Sequence, residues 1–127
     1  EMRNMLETVT EQGGTAIRAR ADGFRVGGKT GTAHKVESKG YVASKYRAFF
    51  VGLAPISAPR IVVAVMVDEP SAGGHYGGEV AAPVFSTIVS ETLRSLNISP
   101  DITDRTLVQN FEPIPTGVQA QKVVLKQ

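Results

Sequence analysis

A lysine and two threonines stand together at Lys29-Thr30-Gly31-Thr32, inside the glycine-rich stretch Phe24-Arg25-Val26-Gly27-Gly28-Lys29-Thr30-Gly31-Thr32-Ala33. A cation beside alternate hydroxyls suits two chemistries. On a loop that leads into a helix, Gly23-Phe24-Arg25-Val26-Gly27-Gly28-Lys29-Thr30 satisfies the pattern G-x-x-x-x-G-K-[ST], whose amides and lysine cradle phosphates. On a strand, Lys29 would place a positive charge that depresses neighbouring pKa values. Thr30 and Thr32 would then share one face. These are different enzyme classes, and the flanking elements decide between them.

Met2, Met5, Leu6 and Val9 recur at helical spacing and predict a helix ending near Gln12, stopped by Gly13-Gly14. Thr15 to Ala21 reads as a short helical turn. Phe24 to Ala33 reads as a strand, and His34 to Lys45 as a polar loop. Tyr46 to Ala54 is a second strand, stopped by Pro55. Arg60 to Asp68 is a nearly continuous apolar run and predicts a buried strand. Ser71 to Gly78 is a glycine-rich loop carrying His75 and Tyr76. Val80 to Leu96 predicts a helix with Ala81, Val84, Phe85, Ile88, Val89 and Leu93 on its apolar face, and Pro83 falls in its first turn. Short turns make the three strands antiparallel, so the fold class is α+β, an antiparallel sheet covered by helices. Residues 1–98 form the packed segment. Residues 99–127, with Pro113, Pro115 and Gly117, read as an extended or mobile tail in which Lys122-Val123-Val124-Leu125 adds a short strand.

The 127 residues amount to one domain or a piece of one, and 42% hydrophobic residues suffice for a core. The net charge of +2 is small. Arg18, Arg20, Arg25, Lys29, Lys35 and Lys39 make the first third locally basic, which suits a solvated face or a groove for an anionic substrate. No basic run is interleaved with aromatics, so nucleic acid is not expected as a partner. With no cysteine there is no disulfide, thiolate nucleophile or cysteine zinc site. Neither His34 nor His75 has metal-ligand spacing, so no metal is expected, and no cofactor. The chain opens in mid-pattern at Glu1-Met2-Arg3-Asn4, as an internal or C-terminal portion of a longer protein would.

A phosphate loop needs a buried strand before it and a helix after it. Ala19-Arg20-Ala21-Asp22 is a poor buried strand, and Gly31 to Lys35 leads into a polar segment. The strand reading fits instead. Lys-Thr-Gly on a strand is a signature of serine enzymes that react with penicillin. Together with Phe50-Val51-Gly52-Leu53-Ala54-Pro55, Val67-Asp68-Glu69-Pro70 and Tyr76-Gly77-Gly78-Glu79-Val80-Ala81-Ala82-Pro83-Val84-Phe85, it makes the chain resemble the C-terminal part of the transpeptidase domain of class B penicillin-binding proteins. The resemblance runs from about Met2 to Ile98 and is greatest to the division-specific (septal), penicillin-binding protein 3 type.

The resemblance implies acyl transfer through a serine, from a D-Ala-D-Ala stem peptide to an amine of a neighbouring stem, and acylation by β-lactams. It implies that Lys29 sits beside the nucleophile and that the Thr32 N–H is an oxyanion donor. Thr30, Gly31 and Thr32 would bind the ligand, with Gly31 small so that a peptide can lie along the strand. His34 stands where relatives carry Arg or Lys, and a neutral imidazole binds a carboxylate less well. Tyr41, His75 and Tyr76 would wall the groove, His75 replacing a common aromatic. Gly73-Gly74 and Gly77-Gly78 would let their loop close over ligand. No Ser-x-x-Lys occurs, and Ser95-Leu96-Asn97 spells Ser-x-Asn on the wrong side of Lys-Thr-Gly. The nucleophile is therefore expected upstream, in the rest of the same domain. The resemblance further implies divisome membrane proteins as partners and a place on the periplasmic face of the inner membrane, held by an N-terminal anchor outside this chain. A non-catalytic peptide-binding or sensor module of the same fold is the alternative.

Overall fold

The structure is a computed structural model that describes residues 1–37, 40–71 and 74–102; at residues 37 and 41–44 it describes the backbone alone. The expected strand at Lys122–Leu125, most of the expected tail and the Tyr41 side chain lie outside the described residues.

The element order is α1 (Met2–Thr8), a 3-10 turn (Ile17–Ala19), β1 (Gly27–Glu37), β2 (Gly40–Ala54), β3 (Ile61–Asp68), α2 (Gly77–Val80) and α3 (Ala82–Ser95). The strands form an antiparallel sheet in the order β1-β2-β3, so the α+β class expected from the sequence is the one observed. β1 is an edge strand among the described strands.

Several boundaries differ from the sequence expectation, each for a local reason. α1 stops at Thr8 rather than near Gln12, because the Val9 carbonyl accepts the Ala16 N–H at 2.8 Å and turns the chain back. β1 starts at Gly27 rather than Phe24. The carbonyls just before it are taken elsewhere: Arg25 O accepts the Ile56 N–H at 2.7 Å, and Val26 O accepts the Thr10 hydroxyl at 2.8 Å. The segment from His34 to Lys45, read as a loop, is mostly strand. β1 runs on to Glu37 and β2 begins at Gly40, because backbone pairing of the two segments (His34 with Tyr46, Val36 with Tyr41, Glu37 with Gly40) needs no apolar side-chain pattern.

The core lies between one face of the sheet and α3. Ala82, Phe85, Val89 and Leu93 are fully buried at i, i+3 and i+4 spacings. Phe85 meets Phe50 of β2 edge-on, with centroids 4.7 Å apart. Gly28 and Gly52 leave the room these two rings fill. Val84 and Ile88, expected on the same face, lie at its exposed margin. β3 is not buried throughout: its residues alternate, with Val65 inside and Val62 and Met66 outside at 71% and 65% exposure. A continuous apolar run on this strand therefore serves two faces, only one of which α3 covers.

Candidate active-site wall

Alternation along β1 separates the motif's side chains. Thr30 pairs with Phe50 and Thr32 with Ala48, on the core side; Lys29 pairs with Val51 and Gly31 with Phe49, on the outer side. The cation and the hydroxyls therefore meet only at the strand's free edge, where alternate amides of an edge strand also point outward. Any ligand that uses both must lie along that edge.

On the core side, Thr32 Oγ1 accepts the Gly77 N–H at 3.2 Å, and the Thr30 and Thr15 hydroxyls lie 3.3 Å apart. Thr15, Thr30, Thr32, Tyr76, Gly77, Gly78 and Glu79 line a cleft of about 330 Å³. Gly77 and Gly78 are not in an open loop, as the sequence suggested. They form the first turn of α2, packed against the strands. A Cβ on Gly77 would lie 2.7 Å from the Gly31 carbonyl oxygen, so glycine is what lets α2 sit on β1. On the outer side, the Phe49 ring occupies the space a Gly31 Cβ would need. The exposed Lys29 donates from Nζ to the Thr30 carbonyl at 2.9 Å.

Past the cleft the rings form a continuous ladder. His34 packs on Tyr46 with centroids 4.5 Å apart, Tyr46 stacks on His75 at 4.1 Å, and His75 packs on Tyr76 at 4.3 Å. His34 lies on β1, not in a loop, and Tyr46 is its register partner on β2. The structure thus brings His34, His75 and Tyr76 together through Tyr46, which the sequence reading treated only as a strand residue. Antiparallel register counted back from the paired Gly28 and Gly52 would have found it. Thr15 was also missed, and no local signal marks it; the turn after α1 carries it to β1.

The outer side beyond the ladder is charged. Lys35 Nζ lies 2.9 Å from Asp68 Oδ2 and 2.6 Å from Glu69 Oε1, and Arg47 Nε donates to Asp68 Oδ1 at 3.0 Å. Lys45 Nζ stands 3.8 Å from Glu69. The hydrogen bond from Lys35, then that from Arg47, holds the Asp68 carboxyl below its ordinary pKa. Glu69, then Asp68, raises that of Lys35. A cavity of about 320 Å³ precedes β1 among Glu7, Arg20, Arg25 and Ile102. Structural contacts surround it: Arg25 pairs with Glu7 at 2.7 Å, and nearby Asp101 accepts both the Arg25 N–H and the Ser57 hydroxyl at 2.6 Å. Among the described residues no three His, Asp or Glu stand close enough to hold a metal ion, and no helix is long and apolar enough to cross a membrane.

The Gly-x-x-x-x-Gly-Lys-Thr match lies at the start of a strand that continues to Glu37, with no helix after it, so the phosphate-loop reading fails on geometry. A Lys-Thr-Gly-Thr edge strand with antiparallel neighbours and a following core helix is instead the setting that the Lys-Thr-Gly element has in the penicillin-binding class of proteins. The family described as the penicillin binding protein transpeptidase domain matches residues 1–90, and the chain belongs to it. The chain is 49% identical over 100 residues to the probable peptidoglycan D,D-transpeptidase PenA of Neisseria flavescens, covering 79% of this chain and 25% of that protein. It is 45% identical over 98 residues to the peptidoglycan D,D-transpeptidase FtsI of Escherichia coli K12, covering 77% and 17%. Among solved structures it matches the transpeptidase domain of Burkholderia pseudomallei penicillin-binding protein 3, with 57% identity and a TM-score of 0.72 over 80% of this chain and 30% of that one. The chain thus spans a quarter or less of the length of these curated relatives.

Proposed function

We propose that this chain is the C-terminal wall of the active site of a peptidoglycan D,D-transpeptidase that cross-links stem peptides during septal cell-wall synthesis. The observation that carries the reading is Lys29-Thr30-Gly31-Thr32 on an edge strand whose hydroxyl side opens on a cleft. A serine in the remainder of the domain attacks the D-Ala-D-Ala carbonyl and the terminal D-Ala leaves. An amine of a second stem then takes the acyl group from the serine. Lys29 supplies positive charge at the nucleophile. Thr30 and Thr32 hold the substrate carboxylate, and the Thr32 N–H stabilises the oxyanion. β-Lactams acylate the same serine. Gly31, His34, Tyr41, His75 and Tyr76 complete the binding wall, and no metal or cofactor is required.

The remainder of the domain is the partner this chain needs first. Val62 and Met66 on the outer sheet face, and Met2 and Met5 on α1, are more than half exposed. Large apolar side chains left this exposed suit surfaces that the rest of the domain covers. On this reading the parent protein works on the periplasmic face of the inner membrane, held there by an N-terminal anchor, together with membrane proteins of the division machinery. Labelling of the intact parent by a fluorescent penicillin tests the reading. A covalent adduct that disappears in Lys29→Ala supports it. Stem-peptide binding without any adduct would instead show a non-catalytic module of the same fold.

A further inference from the structure

The ladder between β1 and β2 breaks just past the reactive tetrad. His34 pairs with Tyr46, but the next paired residue of β1, Val36, pairs with Tyr41. Lys35 falls in that break, three positions beyond Thr32, and has no Cα partner on β2. Its side chain instead crosses β2 to the end of β3. There Nζ donates to Asp68 Oδ2 at 2.9 Å and Glu69 Oε1 at 2.6 Å. Asp68 is itself tied to β2, since Arg47 is both its register partner and a donor to its other oxygen. The Lys35 side chain is only 17% exposed, so its stem is covered as well as its charge paired.

We propose that Lys35 is a positioning residue for the transpeptidase reaction: by tying the broken end of β1 to Asp68 and Glu69 across β2, it fixes where Lys29, Thr30 and Thr32 are presented. The proposal rests on the acyl-transfer reading above. A strand held by a ladder on one side only, with that ladder interrupted, resists sliding and rolling poorly. A one-residue slip would exchange the faces on which Lys29 and the two threonines emerge. The clamp supplies the cross-strand link where the ladder lacks one. Lys35 is not a second substrate cation, because its ammonium is already engaged by two carboxylates. Charge pairs whose carboxylates are nearly half exposed contribute little to global stability. The effect of breaking them is therefore expected in the rate of acylation rather than in melting.

The experiment uses the intact transpeptidase domain and time-resolved labelling by a fluorescent penicillin, separating the Kd of the encounter from the acylation rate, with Tm measured alongside. Lys35→Met should lower the acylation rate about 10- to 100-fold, the cost of a displacement of order 1 Å in a reacting group. Its Kd should change little, and its Tm should stay within about 2–4 °C of the wild type. Lys35→Arg should keep most of the rate. The double variant Asp68→Asn/Glu69→Gln should reproduce the loss with Lys35 intact, and adding Lys35→Met to it should cost nothing more. Wild-type acylation by Lys35→Met overturns the proposal. So does a loss confined to Kd that adds to that of the carboxylate variant, because Lys35 would then touch ligand. Should Lys35→Met fail to fold, the carboxylate double variant alone decides, in the same two directions. A wild-type domain that takes no label overturns the acyl-transfer reading itself, and the proposal with it.

Discussion

Replacing Gly31 by alanine tests whether the glycine of the motif is there for the sheet or for the ligand. A Cβ at Gly31 would overlap the ring of Phe49, the residue directly opposite on β2. Phe49 lies on the outer face at 36% exposure, so the obstacle is a movable ring rather than backbone. Forcing that ring from its place is an overpacking cost of about 1–3 kcal/mol. Phe49→Ala alone should cost about 1–2 kcal/mol, the lower part of the range for a large-to-small change, because the ring is only partly buried. With the ring gone, alanine at 31 has room, and alanine is favoured over glycine in a strand by about 0.5–1 kcal/mol. Gly31→Ala should therefore be stabilising by about 0.5–1 kcal/mol in the Phe49→Ala background, and the coupling energy then equals the overpacking cost of about 1–3 kcal/mol. Urea denaturation of the intact domain for the wild type, both single variants and the double variant measures it. Additivity within about 0.5 kcal/mol would refute the steric account. Penicillin labelling of the same four proteins then separates the two roles. A double variant that regains stability but not acylation shows that a ligand also needs the space along β1. One that regains both shows that Phe49 is the whole reason for the glycine.

Phe85→Ala should cost about 3–5 kcal/mol in urea denaturation, since the ring is fully buried against Phe50 and under Gly52; a loss below about 1 kcal/mol would contradict the packing. Tyr46→Ala removes the ring that joins His34 to His75. It should weaken β-lactam binding by about 0.5–1.5 kcal/mol, read as a rise in Kd by titration, and an unchanged Kd would remove the ladder from the binding wall. Asp68 is held below its ordinary pKa by Lys35 and Arg47, with Lys45 and Glu69 beside it. A lowered folded pKa means stability that is present above the unfolded value and lost as pH falls through the folded one. Tm should thus fall on acidification below the ordinary carboxylate range in the wild type, and this limb should shrink in Asp68→Asn. At the alkaline end the raised Lys35 works with the opposite sign, its contribution present below its ordinary value and lost as pH rises through the folded one. Between these limits the clamp should hold constant, and a Tm difference between the wild type and Asp68→Asn that varied near neutral pH would refute it.

The sequence alone determined the family and the chemistry on offer. Lys29-Thr30-Gly31-Thr32 and the helix from Val80 to Leu96 are local patterns, and local patterns carry strand and helix periodicity. The antiparallel order was legible too, because short turns leave few alternatives. What no local pattern could supply is which side chains meet. The sequence placed Thr30 and Thr32 on one face but could not show that Lys29 leaves on the other, so that the groove must follow the edge of β1. It offered Gly31 as room for a ligand, and only the structure shows that the Phe49 ring stands against the same position; it read Gly77-Gly78 as part of a loop, where the structure packs them on β1. Tyr46 and Thr15 carry no signal of their own. Each gains its place from a residue distant in sequence, Tyr46 through cross-strand register and Thr15 through the turn that returns α1 to the sheet. Lys35 is the clearest case. In sequence it is one more lysine of a basic stretch. Only the break in the β1–β2 ladder, and two carboxylates a strand away, turn it into the tie that holds the motif in place.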